Sequence, residues 1–578
     1  RPGVGPAVWS EPLPATLSVE GVRAAGVAHT SAGLRIPCSA ALAVPLGVMD
    51  DPARQWQGVW ELDFSAVGNA LVVGGPRSGS TTLLRTLAAS IALTHSPNDL
   101  VVYGVDALGN NLGVLESLPV MVGLAGRLEP ERVQRVIDEV HTVLREREKV
   151  FGRLRAESLA AARAALPSGP SGGGHGGLML AEVVLLIDGY GPLAEEHPAC
   201  AEVVEDLVRR GPAYGIHVVS TVSRWNEIRL NQQTFFDHTI ELRLADPAES
   251  RVGRARSQTL SAAAPGRCLL PSGLFAQVAQ PIIENGGGDQ RGADPVTAMT
   301  STIAAISAAA PERARAMMLL PASLSPTDIE SPDTGAQVAI GMDGSTFATR
   351  SIDLDGLDRH LLLIGDPGTG RTSLLRHITS ALLQHNDSDD LVIAQIDPKR
   401  AMQGEISQDY LGGYAASAPL ATRLVEAVVP ELERRAAGLA DAAASFAPPS
   451  PRIVVVVDDY DALTASGASP LQALVPYIAM AREINLNVIV ARRTNGAARG
   501  IFESAFAVLR ECGATGVMFS GDRSEGQLFG SVRPRGLPVG RALLLRPGQP
   551  ECLVQTVHSK APEAKIDLGC GGHVREGA

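Results

Sequence analysis

A chain of 578 residues is longer than one hydrophobic core organises, so about two to four domains are expected. With 45% hydrophobic and 19% charged residues the composition is ordinary for a globular protein, and no apolar run approaches the ~20 residues that span a bilayer. A net charge of -12 argues against nucleic acid as a default partner, because that affinity rests on neutralising phosphates. The six cysteines (Cys38, Cys200, Cys268, Cys512, Cys552 and Cys570) form no CxxC pair and have no histidine at metal spacing, which excludes a zinc module and fits a reduced, cytosolic chain.

The opening RPGVGPAVW is not a signal peptide and lacks an initiator Met, as expected of a fragment or processed chain. The strand ALVVGG then enters LVVGGPRSGST, Leu71 to Thr81, with the G-x-x-x-x-G-[K]-[ST] spacing that wraps backbone N–H groups around phosphate at a helix N-terminus. Gly74, Gly75, Pro76, Arg77, Ser78, Gly79, Ser80, Thr81 and Thr82 are the candidate nucleotide contacts. Ser80 stands in the lysine slot and supplies no charge, and Arg77 is the only cation within the loop. Losing a charge-assisted contact to phosphate costs on the order of 1.5–3 kcal/mol.

A helix is expected from Ser80 to Thr94, a strand LVVYGVD ending at Asp106, and a charged helix from Glu129 to Arg155. In that helix Arg145 to Lys149 read as a solvated face, and neither His141 nor His175 has ligand partners. The Gly/Ser/Pro-rich stretch Glu157 to Gly177 reads as an exposed loop. The strand EVVLLID ends at Asp188, placed as in a Walker B motif to hold Mg²⁺ together with Thr81. Gly189 follows and cannot orient an attacking water. A helix near Ala199 to Arg210 and the strand HVVST complete this copy.

NGGGDQRGADP, Asn285 to Pro295, is the clearest domain break. It is followed by a helical stretch from Thr297 to Ala310 and a proline-punctuated connector to about Pro332. A second glycine-rich turn, LLLIGDPGTGRT, runs from Leu361 to Thr372; its candidate contacts are Gly365, Asp366, Pro367, Gly368, Thr369, Gly370, Arg371, Thr372 and Ser373. Arg371 fills the lysine slot with a bulkier, planar cation. VIAQID ends at Asp397, and VVVVDDYD presents Asp458 as the metal partner of Thr372. Asp459 is a weak candidate base, one methylene shorter than glutamate, where a shortfall near 1 Å costs on the order of 100-fold in rate.

The two halves match in order. VVYGVD answers VIAQID, VVLLIDGY answers VVVVDDYD, YGIHVVSTVSRW answers INLNVIVARRTN, ADPAES answers GDRSEG, and PGRCLL answers VGRALL. Ordered matches at nearly constant offset mean a duplicated domain. Apolar strands alternating with helices call for a parallel sheet covered on both faces. The expected fold is α/β: two tandem RecA-like P-loop ATPase domains, each a mostly parallel sheet with helices on both faces. The expected boundaries are 1–290 and 333–566 for the ATPase domains, 291–332 for a linker and 567–578 for a flexible tail. Asp106 and Asp397 are expected to cap the turns that follow them. Arg224, Arg492 and Arg493 stand where sensor residues sit in such ATPases, or are surface arginines.

Taken together, VVGGPRSGST, IDGYGPL, YGIHVVSTVSRWNEIR, ELRLADPAES, PGRCLLP, YLGGYAAS, VVVDDYDAL, VIVARRTNGAARG and SGDRSEGQL resemble the EccC ATPase of type VII secretion, a relative of the FtsK/SpoIIIE translocases. The resemblance covers roughly residues 30 to 560 and points to the second and third ATPase domains, as the soluble half of a split protein or an excised piece. It implies ATP and Mg²⁺ as ligands and small helical-hairpin substrates with a Trp-x-Gly turn. It also implies a membrane-anchored ATPase part as partner, a location peripheral to the cytoplasmic membrane, and homo-oligomers as in the superfamily. Members usually keep a lysine in both loops, so Ser80 and Arg371 are departures. The resulting expectation is an ATP-binding recruitment and regulatory component with little hydrolysis of its own. The alternatives are a DNA translocase of the FtsK/SpoIIIE type, against which the charge and the missing basic C-terminal domain stand, and a nucleotide-free scaffold.

Overall fold

The structure, a computed structural model, describes residues 11–165, 180–283, 294–332, 334–439, 449–464, 469–500 and 502–559. The chain divides into two compact units, Arg1–Met318 and Leu319–Ala578. The expected tail 567–578, His175 and the glycine-rich part of the 157–177 loop lie outside the described residues. Residues 291–332, expected as a linker, are shared between the units.

The first unit is built on ten strands: β1 (Ala43–Asp51), β2 (Trp56–Asp63), β3 (Ala70–Val73), β4 (Leu100–Asp106), β5 (Met121–Gly126), β6 (Glu182–Asp188), β7 (Ile216–Val222), β8 (His238–Glu241), β9 (Arg267–Leu269) and β10 (Phe275–Val278). Their order is β2-β1-β10-β9-β8-β3-β7-β6-β4-β5. The run from β8 to β5 is parallel; the rest is antiparallel. The second unit repeats this with β11 (Gln337–Asp343), β12 (Thr349–Asp353), β13 (His360–Ile364), β14 (Leu391–Ile396), β15 (Leu411–Ala415), β16 (Arg452–Val457), β17 (Leu486–Arg492), β18 (Thr515–Met518), β19 (Arg541–Leu545) and β20 (Cys552–Thr556). Its order, β12-β11-β20-β19-β18-β13-β17-β16-β14-β15, is that of the first sheet strand for strand.

Alternation within the central strands explains why both faces are dry. Val72, Val102, Val184 and Val219 face one cluster with helix α1 (Ser80–Thr94); Leu71, Val101, Val183 and Val218 face the other with α2 (Pro130–Leu154). Each such side chain contributes roughly 1.5–3 kcal/mol when fully buried. The described part of the 157–177 loop is not all irregular: α3 (Leu159–Ala165) packs Leu159 and Ala162 under Phe151. Helix α4 (Pro198–Arg210) completes that face, and α5 (Pro295–Ala309) packs Met299, Ile303 and Ile306 into the first unit's core. Beyond α5 the chain straps the outer strand β5: Ala314 N–H donates to Pro119 O and Met317 N–H to Val122 O, each at 2.7 Å. In the second unit α6 (Arg371–His385) and α7 (Ala418–Gly438) take the places of α1 and α2.

The expected solvated face at Arg145 to Lys149 is corrected at Arg147. Position 147 falls on the apolar stripe of α2, and the guanidinium is buried, donating to the Tyr214, Gly215 and Ala181 carbonyls. Burial pulls its pKa down to about 10. Arg435 is likewise buried in the second unit, where it donates to Ile484 O and Pro451 O at 2.9 Å each. One further exchange marks the duplication. Asn69 Oδ1 accepts from Val218 N–H at 2.9 Å, where the second unit uses His360 Nδ1 to accept from Val488 N–H at 3.1 Å.

Candidate functional site

In each unit β3 or β13 ends in the glycine-rich turn and a helix starts from it. Gly74 N–H donates to Val222 O and Gly75 N–H to Arg243 O, which ties the first turn to the ends of β7 and β8. Gly79 lies at φ 105, and a Cβ there would sit 2.9 Å from Gly266 N. Gly266 N–H in turn donates to Ser78 O at 2.8 Å. The second turn is braced alike, by Gly540 N–H on Thr369 O at 2.9 Å, with Gly370 at φ 122. These braces give the recurring PGRCLL and VGRALL words a physical meaning. The first amides of α1 and α6 have no acceptor further back in their helices, so both turns offer N–H groups to an anion. Ser78 Oγ is buried without a hydrogen-bond partner among the described residues.

The threonine and aspartate expected to hold Mg²⁺ are in contact in both units. Thr81 Oγ1 donates to Asp188 Oδ2 and Thr372 Oγ1 to Asp458 Oδ2, each at 2.7 Å. Thr221 Oγ1, which sequence reasoning missed, donates to the other oxygen of Asp188 at 2.8 Å. Burial raises both carboxyls above the usual range. Among the described residues no three His, Cys, Asp or Glu side chains gather to hold a metal. A Mg²⁺ here would therefore lean on Thr81 and Asp188, or Thr372 and Asp458, and on phosphate oxygens. The glycine cradles, free helix amides and threonine–aspartate pairs fit Mg-nucleotide; its chemistry would be charge neutralisation on the phosphates.

The units part company around that shared frame. In the first, the relevant positions are Ser80, Gly189 and Leu108; Arg77 is exposed at φ 58, and a Cβ on Gly189 would meet Leu108 Cδ2 at 2.8 Å. In the second, the matching positions are Arg371, Asp459 and Lys399. Arg371 Nη2 donates to Asp459 Oδ1 at 3.2 Å, and Lys399 Nζ lies 2.5 Å from Asp459 Oδ2. Both carboxylate oxygens thus face a cation. Arg371 is buried, yet its Nη1 has no hydrogen-bond partner among the described residues. Lys399 escaped sequence reasoning, although the VVYGVD and VIAQID match sets it opposite Leu108.

The remaining candidates divide. Asp106 accepts from the Leu108, Gly109 and Leu112 amides, and Asp397 from those of Ala401 and Met402, so both cap turns. Arg224 is exposed, whereas Arg492 is buried over the Phe506 ring and near Asp461, so it is not a surface arginine. Pro76 O accepts from Arg243, and Thr369 Oγ1 donates to Asp366 O. Ser373 Oγ accepts from Ser559 N–H at 2.9 Å, which places the segment after β20 beside the start of α6. His141 lies 3.2 Å from Asp206 Oδ2.

Two RecA-like domains with paired phosphate turns define a tandem P-loop ATPase architecture. Residues 39–284 match the FtsK/SpoIIIE family. The chain is 32% identical to ESX-4 secretion system protein EccC4 of Mycobacterium tuberculosis over 91% of its own length and 41% of the relative's, so it spans about two fifths of that protein. It is 30% identical to ESX-1 secretion system protein EccCb1 of Mycolicibacterium smegmatis over 90% of this chain and 89% of the other. The structure of ATPases 2 and 3 of Thermomonospora curvata EccC, in complex with a signal sequence peptide, superposes with a TM-score of 0.78 at 29% identity, covering 96% of this chain and 100% of that one. The chain belongs to the EccC family of type VII (ESX) secretion system proteins.

Proposed function

We propose that this chain is the ATP-binding, slowly hydrolysing part of a type VII secretion motor, which recruits small helical substrates and regulates the motor. One observation carries the reading: both phosphate turns keep their threonine–aspartate metal pairs, while the groups that would drive cleavage are replaced in the first unit and paired with each other in the second. Ser80 brings no charge to phosphate, and Gly189 carries no side chain to position water. At the second turn a water would find both oxygens of Asp459 engaged by cations.

ATP with Mg²⁺ is the proposed ligand of both turns. The signal sequence peptide in the T. curvata EccC complex supports recruitment of secreted helical hairpins with a Trp-x-Gly turn. The partner that does most of the hydrolysis is a membrane-anchored ATPase part, and homo-oligomers are the expected assembly. The proposed location is the cytoplasmic side of the membrane; among the described residues no helix is long and apolar enough to cross one. Binding and turnover measured separately on the full chain test this. Mg-ATP binding with negligible release of phosphate is expected; brisk turnover abolished by Asp459→Ala would overturn it.

A further inference from the structure

The positions that differ between the two turns differ as a set. Ser80, Gly189 and Leu108 are uncharged, and Arg371, Asp459 and Lys399 are all charged. The second set contains two cations and one carboxylate, so it leaves one positive charge beside the phosphate turn, the charge a loop lysine would bring. The two cations differ in freedom. Arg371 has 5% of its side chain exposed and Lys399 has 46%. A compact ammonium on a flexible stem is also the easier group to move. Lys399 is carried on the turn that Asp397 caps, so its backbone is held while its half-exposed side chain meets only Asp459 among the ion pairs of the described residues. The Nη1 of buried Arg371, without a hydrogen-bond partner among the described residues, is a donor left for a bound group.

We infer that Lys399, from outside the glycine-rich turn, is the phosphate-binding cation of the second unit, and that Asp459 is its counter-ion while no nucleotide is bound rather than a base. On binding, the ammonium passes from Asp459 Oδ2 to the terminal phosphate. Arg371 remains on Oδ1, so the carboxylate is never left without a partner. Asp459 then competes with nucleotide for Lys399, which sets the affinity for triphosphate lower than an unpaired lysine would. The first unit has the uncharged Leu108 in the same place.

This rests on the proposed nucleotide binding, and the test separates the two. The full chain is photolabelled with 8-azido-ATP, labelled peptides are assigned to the first or second unit by mass spectrometry, and labelling is competed with Mg-ATP and Mg-ADP. Lys399→Met is expected to weaken ATP competition at the second unit about tenfold, ADP competition less, and first-unit labelling not at all. Lys399→Arg is expected to restore most of the loss, and Asp459→Asn to tighten ATP competition about three- to tenfold. Labelling of the second unit only in Asp459→Asn also supports the inference. Labelling that Lys399→Met leaves unchanged overturns the lysine's role while the nucleotide reading stands. No labelling of the second unit in any variant overturns both.

Discussion

Gly189 and Asp459 occupy the same backbone position, each directly after the strand-ending carboxylate and each in the left-handed region, at φ 91 and φ 43. Glycine adopts that conformation freely; aspartate is among the few side chains that tolerate it. The strain at Asp459 is held in place by Arg371 and Lys399.

Removing the carboxylate should therefore destabilise the second unit selectively. Asp459→Asn keeps the backbone preference but leaves the buried Arg371 without its counter-ion, at a cost on the order of 3 kcal/mol. All four tryptophans, Trp9, Trp56, Trp60 and Trp225, precede residue 319. Urea unfolding followed by tryptophan emission should be unchanged, while the part of the circular dichroism transition belonging to the second unit moves to lower urea.

Magnesium dependence should fail at one threonine per unit. Thr372→Ala removes the hydroxyl on Asp458 without opening the core, because Thr372 is only partly buried. Nucleotide binding at that unit is expected to weaken about tenfold in Mg²⁺ and hardly at all in EDTA, read by the same peptide-resolved labelling. Thr81→Ala should do the same for the first unit.

The brace between Gly79 and Gly266 predicts a third effect. Gly79→Ala places a Cβ 2.9 Å from Gly266 N at φ 105, so the turn must shift. A stability loss of about 1–3 kcal/mol is expected, with loss of first-unit labelling and retention of second-unit labelling.

Acid should weaken the second unit through His360. Burial, reinforced by the neighbouring Arg359 guanidinium, lowers its pKa from the ordinary 6.5 to about 4. Between those values the unfolded chain takes a proton that the folded one refuses, so stability rises with pH. It is fully present above about pH 6.5 and lost as pH falls towards 4, a change on the order of 3 kcal/mol. Asn69 shows the replacement that keeps the acceptor: in His360→Asn the Val488 N–H bond survives and the acid-dependent loss should flatten. Unfolding by urea at pH 4.5 and 7.5 reads the difference.

The duplicated architecture could be read in the sequence because strand words, turns and carboxylates recur in order, and α1, α2 and α4 fall within a residue or two of the expected spans. Both threonine–aspartate pairs were legible for the same reason: motif spacing fixes them. Arg147 was not, since a charged residue on an apolar stripe looks like a surface residue until the carbonyls of Tyr214, Gly215 and Ala181 converge on it. Lys399 was missed because its partner Asp459 lies sixty residues away in the chain, after the neighbouring strand of the sheet. Tertiary contact alone joins them.

The segment from Ala314 to Met317 donates hydrogen bonds to the outer edge of the first sheet at the Pro119 and Val122 carbonyls. A natural-looking cut in the glycine-rich stretch near residue 290 would strip that cover and leave the Pro119 and Val122 carbonyls without those donors, at a sheet edge open to self-association. Anyone producing the first half alone should end it after Met318, and a shorter version is expected to precipitate even though every phosphate-turn residue is retained.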